Sequence, residues 1–360
     1  MEITREQVLR FRVHAQQLDR AQSAEDSTAA NVLDLGVQDS GPDGARWALE
    51  VRGFSPDPAE LFTAWTIRGA PHVYRRAQAA KVAAAVAPLS EADAAKRVFD
   101  ASKPLKEAGI PVLDALDRVA SEMRAVVTRP TVKGDLSGAL NNRLPEPFLR
   151  YCRPCDAIHV YEQPFRLSAL RAGLELRPGT SPPVVERIPG WRGTAKQVDP
   201  SLDPIRNLLR LHGPATPQQV ATYLDAPAKD VRAHWPEDVE TVTVGGQSRA
   251  VLADDLEALH SPADVATTVR LLGPFDLFLQ GRDRELLVAQ EVRRKDLWRT
   301  LGRPGGVLVG HEILGSWRPR ASGKKLRIAV DPWAPLPDLT EQAERLAAFR
   351  GVTFAGFVDT

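Results

Sequence analysis

The chain has 360 residues, 43% of them hydrophobic and 26% charged, with a formal net charge of +1. That balance excludes a disordered polyelectrolyte and leaves room for two or three compact units, each with its own core. No run approaches the roughly 18 consecutive apolar residues of a membrane span, the N-terminus has no apolar signal stretch, and two cysteines cannot build a disulfide scaffold; the expectation is a cytoplasmic protein with no membrane association.

Residues 1–80 read as a first winged-helix-like unit. Thr4-Arg5-Glu6-Gln7 has the form of a capping box, with Leu9, Phe11, Ala15 and Leu18 behind it on a helical stripe. Helices over about Ser27–Leu35 and Gly44–Val51 flank a short polar turn holding Gln38. The run Thr63–Tyr74 alternates loosely and suits a strand pair, and the alanine-rich stretch 77–101 reads as helical connection, assigned to 81–110.

Residues 111–200 repeat the plan. Leu113, Leu116, Ala120, Met123 and Val127 form a helical stripe after Pro111. A second helix is expected near Lys133–Leu140, a third near Glu146–Cys152, and an extended segment at His159-Val160-Tyr161; Phe165–Ala172 fits either strand or helix.

The clearest pattern lies in 201–255. A helix opened by Asp203-Pro204 closes at Gly213-Pro214, and Thr216-Pro217-Gln218-Gln219 caps a second helix to Leu224. A third runs from about Pro227 to Trp235, where Pro236 stops it. Val239, Val242 and Val244, the Gly245-Gly246 turn and Arg249–Leu252 then make a hairpin. Three helices followed by a hairpin is a winged helix.

From Val269 the texture changes. Leu286–Val288, Val307–Val309, Ile313–Trp317 and Leu326–Val330 read as short strands, which suggests a small barrel over 268–335. Thr340–Phe349 closes the chain as a helix within 336–360. The expected fold class is therefore α+β, with tandem winged-helix units and a C-terminal β-barrel-like module.

Charge is distributed unevenly. Arg282 to Arg327 holds 12 Lys/Arg against 5 Asp/Glu, and Arg318, Arg320, Lys324, Lys325 and Arg327 have no acid among them. Such a local excess can neutralise phosphates while the rest of the surface stays balanced. Tyr161, Trp191, Trp298, Trp317 and Trp333 are candidates for stacking on an exposed base, Trp317 being beside the basic hairpin. Cys152-Arg153-Pro154-Cys155, with His159 and Glu162 after it, has the spacing of a zinc knuckle but lacks a second pair. Two buried thiols near a wing is the plainer interpretation. No cofactor or metal is expected, and Cys152, Cys155 and His159 are the donors a zinc ion would use. The absence of a heptad seam favours a monomer.

Five segments in order, HAQQL, LGVQDSGP, TAWTIRGAPH, LLGPFDLFLQGRDRELL and QAERLAAFRG, resemble the AlkZ-like winged-helix DNA glycosylases, the group that also contains the YcaQ-like enzymes. The resemblance spans nearly the whole chain and implies a DNA-sized cleft and double-stranded DNA, with alkylated purines, as partner. The family's signature is a Gln, an apolar residue, then Gln or Asp. Here Gln38 holds the first position, Asp39 the apolar one and Ser40 the second functional one. Arg68 and His72 fall in a segment similar to the family's Arg-Gly-Thr-x-His, with Ala70 in place of Thr; they are candidates to hold a phosphate or line the cleft near the lesion, the plainer interpretation being a structural pair at a strand turn.

A purine alkylated on a ring nitrogen is cationic, so its glycosidic bond is already weakened. An enzyme acting on it positions a water and stabilises oxocarbenium character in the sugar. An amide such as Gln38 can hold the water, and a carboxylate can take its proton. In an extended turn Gln38 and Ser40 share a side and Asp39 points away; a bend at Gly41-Pro42 would bring Asp39 inward. A third arrangement has all three residues merely capping the following helix. The resemblance implies a monofunctional glycosylase that hydrolyses the N-glycosidic bond of alkylated or bulky purines. The alternative is a non-catalytic winged-helix DNA-binding protein, a lesion sensor or regulator, and a protein-interaction scaffold is the third reading.

Overall fold

The computed structural model describes residues 1–21, 29–41 and 43–359, so Ser27, the expected start of the second helix, and Pro42 of the expected bend lie outside the described residues. The chain divides into two compact units. One comprises Met1–Asp57, Arg206–Gln219 and Pro236–Thr360; the other comprises Pro58–Ile205 and Val220–Trp235.

In the first unit, the Thr4 hydroxyl accepts from Gln7 N and the Gln7 side chain accepts from Thr4 N, so the capping box starts the Arg5–Ala15 helix. Among the described residues the next helix is the single turn Val32–Leu35, followed by a two-residue strand Val37–Gln38 and the helix Gly44–Glu50. A three-stranded sheet joins Glu2–Ile3, parallel, to the hairpin Val239–Val244 and Gln247–Leu252. Gly245 and Gly246 turn that hairpin with φ of 55° and 77°, values glycine adopts without steric cost. Along the chain, the three helices before the hairpin are Pro204–His212, Pro217–Leu224 and Ala228–Ala233, in the order the sequence suggests.

The C-terminal strands do not form a barrel. Val269–Leu272, Gly305–Val309, Glu312–Ser322, Lys325–Pro332 and Thr353–Val358 make one open sheet in chain order. Its first three junctions are antiparallel and its last is parallel. The edges are Val269–Leu272 and Thr353–Val358, which do not pair with each other. Closure is unnecessary because the Thr340–Phe349 helix buries Ala343, Leu346 and Ala347 in the same core as Leu308, Leu326 and Ile328 of the sheet. A helix covering one face removes the apolar surface that curling would otherwise hide. Leu286–Val288 is also not a strand: Arg284–Leu287 is a turn of helix.

The second unit is built on the helix Val112–Val126. Its stripe Val112, Ala115, Leu116, Val119, Ala120 and Met123 is buried at helical spacing and shares a core with Phe165 and Ala169 of the helix Glu162–Arg171. Its sheet runs Pro71–Arg75, Leu61–Trp65, Leu174–Leu176, Val184–Arg187 and Thr131–Val132. The helices Ala79–Ala85 and Glu91–Arg97 occupy the alanine-rich connection. In place of the helix expected near Glu146–Cys152 there is a short turn, Glu146–Phe148, followed by the strand Leu149–Cys152. That strand pairs with Ala157–Val160 in a separate two-stranded hairpin.

Candidate functional site

The turn after Gln38 has an alternating geometry. Gln38 Nε2 donates to Ser40 Oγ at 3.0 Å, so these two side chains share a side. Asp39 Oδ1 instead accepts from Ala45 N at 2.9 Å and satisfies a donor in the first turn of the Gly44–Glu50 helix. Gly44 makes this approach possible: a Cβ there would lie 2.0 Å from Asp39 Oδ1, and its φ is +46°.

A cavity of about 140 Å³ adjoins this turn, lined by Ser40, Phe275, Arg303, Trp317 and Pro319 among others. A volume of roughly 150 Å³ accommodates one six-membered ring, so the space is smaller than a purine bicycle requires. Arg303 stacks over Phe275, its guanidinium 4.7 Å from the ring centroid. Two carboxylates border the cavity, and both are engaged. Asp43 pairs with Arg350, and the fully buried Asp276 is bidentate with Arg52 at 2.7 and 2.8 Å. Sequence reasoning missed Phe275 and Arg303 as lining residues. Phe275 lies inside the LLGPFDLFLQGRDRELL segment and Arg303 inside the basic stretch, but nothing in their spacing marks a cavity wall.

The HAQQL segment is structural. Gln16 is buried, donates to Leu211 O at 2.8 Å and accepts from Arg52 at 3.3 Å. One helical turn earlier, Arg12 holds Asp283 through two bonds of 2.9 and 2.8 Å, and Arg249 adds a third at 2.7 Å. Burial alone would raise the Asp283 carboxyl, but Arg12 and Arg249 hold it well below the usual carboxylate range.

Arg68 and His72 are less available than the sequence suggests. His72 is fully buried, so a phosphate contact is closed to it. Its Nδ1 lies 3.0 Å from Ala70 O and 3.0 Å from Thr66 Oγ1, which in turn is 2.9 Å from Tyr74 Oη. Burial, then the nearby Arg68 charge, pushes its pKa down to about 3, so the ring is neutral. Arg68 donates to Tyr223 O at 2.6 Å with its guanidinium 4.6 Å over the Tyr223 ring.

The basic hairpin forms as two strands, Glu312–Ser322 and Lys325–Pro332, turned by Gly323 at φ +57°. Arg320, Lys324, Lys325 and Arg327 are exposed and have no acidic partner among the described residues. Arg320 lies directly opposite Arg327 in the ladder. Like charges facing across a ladder are unfavourable unless an anion neutralises them. Arg318, nearer the base, is paired with Asp296 at 3.0 Å. Trp317 is a core residue: it is 2% exposed, donates Nε1 to Leu272 O at 2.8 Å, and is presented only where it lines the cavity beside Ser40.

Cys152, Cys155 and His159 cluster at the tip of the small hairpin, their donor atoms all within 4.8 Å of one another. Among the described residues no helix is long and apolar enough to cross a membrane.

A model of the family described as DNA glycosylase AlkZ-like matches residues 48–349. No curated protein matches the chain. Among solved structures, the Streptomyces sahachiroi DNA glycosylase AlkZ aligns over 100% of both chains with a TM-score of 0.74 and 19% sequence identity, a likeness of fold.

Proposed function

The chain belongs to the AlkZ-like family, and from that premise we propose that it is a DNA-binding protein that engages duplexes carrying alkylated purines without excising the base at a glycosylase's rate. The observation that carries this reading is the commitment of the Asp39 carboxylate to Ala45 N at 2.9 Å, while the Gln38 amide donates to the neutral hydroxyl of Ser40 at 3.0 Å. Both carboxylates at the neighbouring cavity are already neutralised by arginines.

Base excision from a cationic purine leaves positive charge on the sugar. A carboxylate about 4 Å from that charge is worth roughly 4 kcal/mol at an effective dielectric constant of about 20. Relative to a site with Asp at the second position, its absence slows the chemical step by about three orders of magnitude. Gln38 and Ser40 remain able to bind a water, but neither supplies the negative charge.

In this proposal Arg320, Lys324, Lys325 and Arg327 neutralise backbone phosphates. They are exposed, without acidic partners among the described residues, and include the facing pair Arg320 and Arg327. The hairpin Val239–Val244 and Gln247–Leu252 of the first unit supplies a further DNA-binding element.

A second reading has one observation in its favour. The 3.0 Å bond between Gln38 and Ser40 presets two groups to hold a water, which would support slow hydrolysis. Measuring free-base release beside equilibrium binding on one N7-methylguanine duplex separates the two readings.

A further inference from the structure

The hairpin Leu149–Cys152 and Ala157–Val160 pairs with no other strand among the described residues. Isolated two-stranded hairpins are marginal in water, and this one gains little from its outer residues: Tyr151 is 60% exposed and Ile158 53%. Its base is held by Phe148 and Val160, both in the core of the second unit, whereas its tip has no such anchor. At the tip the chain makes the turn Arg153–Cys155, and Asp156 reverses it in the left-handed region at φ 48°. Tyr151 Oη donates to Asp156 Oδ1 at 2.6 Å and ties the turn to the strand.

That turn brings together the ligand atoms of Cys152, Cys155 and His159, every pair within 4.8 Å. We propose that these three side chains form a zinc site that fastens the hairpin tip. The C-x-x-C spacing places both thiols on one side of a single turn, and His159 returns on the partner strand, where it lies opposite Arg150. Tetrahedral zinc with bonds of about 2.3 Å to sulfur and 2.0 Å to nitrogen sets its ligands roughly 3.5–3.8 Å apart. Donors already within 4.8 Å reach that spacing with about 1 Å of side-chain closure.

A second observation points to the same ring. His159 Nε2 is buried and has no hydrogen-bond partner among the described residues. A buried polar atom left unsatisfied is costly, and a ring with one nitrogen on a metal commonly fixes the other through a bond or water. No fourth His, Cys, Asp or Glu joins the group among the described residues, so a water completes the tetrahedron. Zinc binding displaces a proton from each thiol, and affinity falls as the pH drops below neutral.

The test uses the full chain, kept reduced, with cobalt(II) and zinc(II) as probes. One equivalent of cobalt should bind with a thiolate-to-cobalt charge-transfer band, and zinc should displace it. Zinc should also protect both thiols from a thiol reagent until a chelator is added. His159→Asn should weaken binding about 10-fold or more, and Cys152→Ser with Cys155→Ser should abolish the band. The thiol protection is read on the unaltered chain, so poor folding of a variant does not obscure the answer. Absence of the band with both thiols reactive in excess zinc would overturn the proposal, as would a disulfide that persists in reductant.

Discussion

The Gln38 amide donates to the Ser40 hydroxyl across 3.0 Å, while the residue between them faces the opposite way and caps a helix. Two neutral groups therefore share that side, with Ser40 at the position where the family's signature has Gln or the charged Asp.

Placing a carboxylate at position 40 should restore that charge. Ser40→Asp is expected to raise release of N7-methylguanine by up to about a thousandfold over the unaltered chain, the rate equivalent of roughly 4 kcal/mol. Duplex affinity should stay within a few-fold. A variant that binds normally and gains no release would mean that more than the carboxylate is missing.

Asp39 is expected to act on stability. Asp39→Ala removes the acceptor for Ala45 N and should cost about 1 kcal/mol in urea unfolding. DNA affinity should be unchanged. Loss of DNA binding without loss of stability would assign Asp39 to the interface instead.

The hairpin arginines and lysines should set the salt dependence of binding. For every phosphate left without its cation, the slope of log affinity against log salt falls by about 0.9 on duplex DNA. Arg320→Ala and Arg327→Ala together should therefore flatten the slope by nearly 2 units, and adding Lys324→Ala and Lys325→Ala should flatten it further. All four side chains are exposed, so the fold should survive these changes, and circular dichroism checks that it does. An unchanged slope would place the phosphate contacts elsewhere.

Acid sensitivity follows from two buried histidines. Burial first, and then Arg68 for His72 or Arg12 for His212, lowers both pKa values to about 3. A histidine with a depressed folded pKa stabilises the fold above its unfolded value of about 6.5 and loses that contribution as the pH falls toward the folded value. Each should contribute a slope of about 1.4 kcal/mol per pH unit in the window below about 6.5. Urea midpoints between about pH 6 and 5 should fall accordingly, and His72→Gln should remove one histidine's share. A profile that is flat through this window would contradict the buried neutral state.

Local signals in the sequence are strong where backbone chemistry dictates structure. The Thr4–Gln7 capping box, the Gly245-Gly246 turn and the stripe from Val112 to Met123 each name their own element. The C-terminal sheet is harder to read, because short strands at regular spacing suit a barrel or an open sheet equally. What decides is the Thr340–Phe349 helix, whose sharing of one core with Leu308 and Ile328 is a tertiary fact. The strand Leu149–Cys152 reads as helix for a related reason, since so short a run carries no clear period. At the candidate site, the positions of Gln38, Asp39 and Ser40 are legible. Which way Asp39 turns depends on Gly44, whose missing Cβ leaves room for the carboxylate. His72 and Trp317 carry suggestive chemistry, and only the structure shows that His72 is fully buried and Trp317 nearly so.

The most direct test measures free-base release and equilibrium binding together, on one duplex containing N7-methylguanine and on its undamaged counterpart. Salt-sensitive binding with release at the background rate is the predicted result. Release by the unaltered chain that disappears in Gln38→Ala would contradict it and make this protein a working glycosylase.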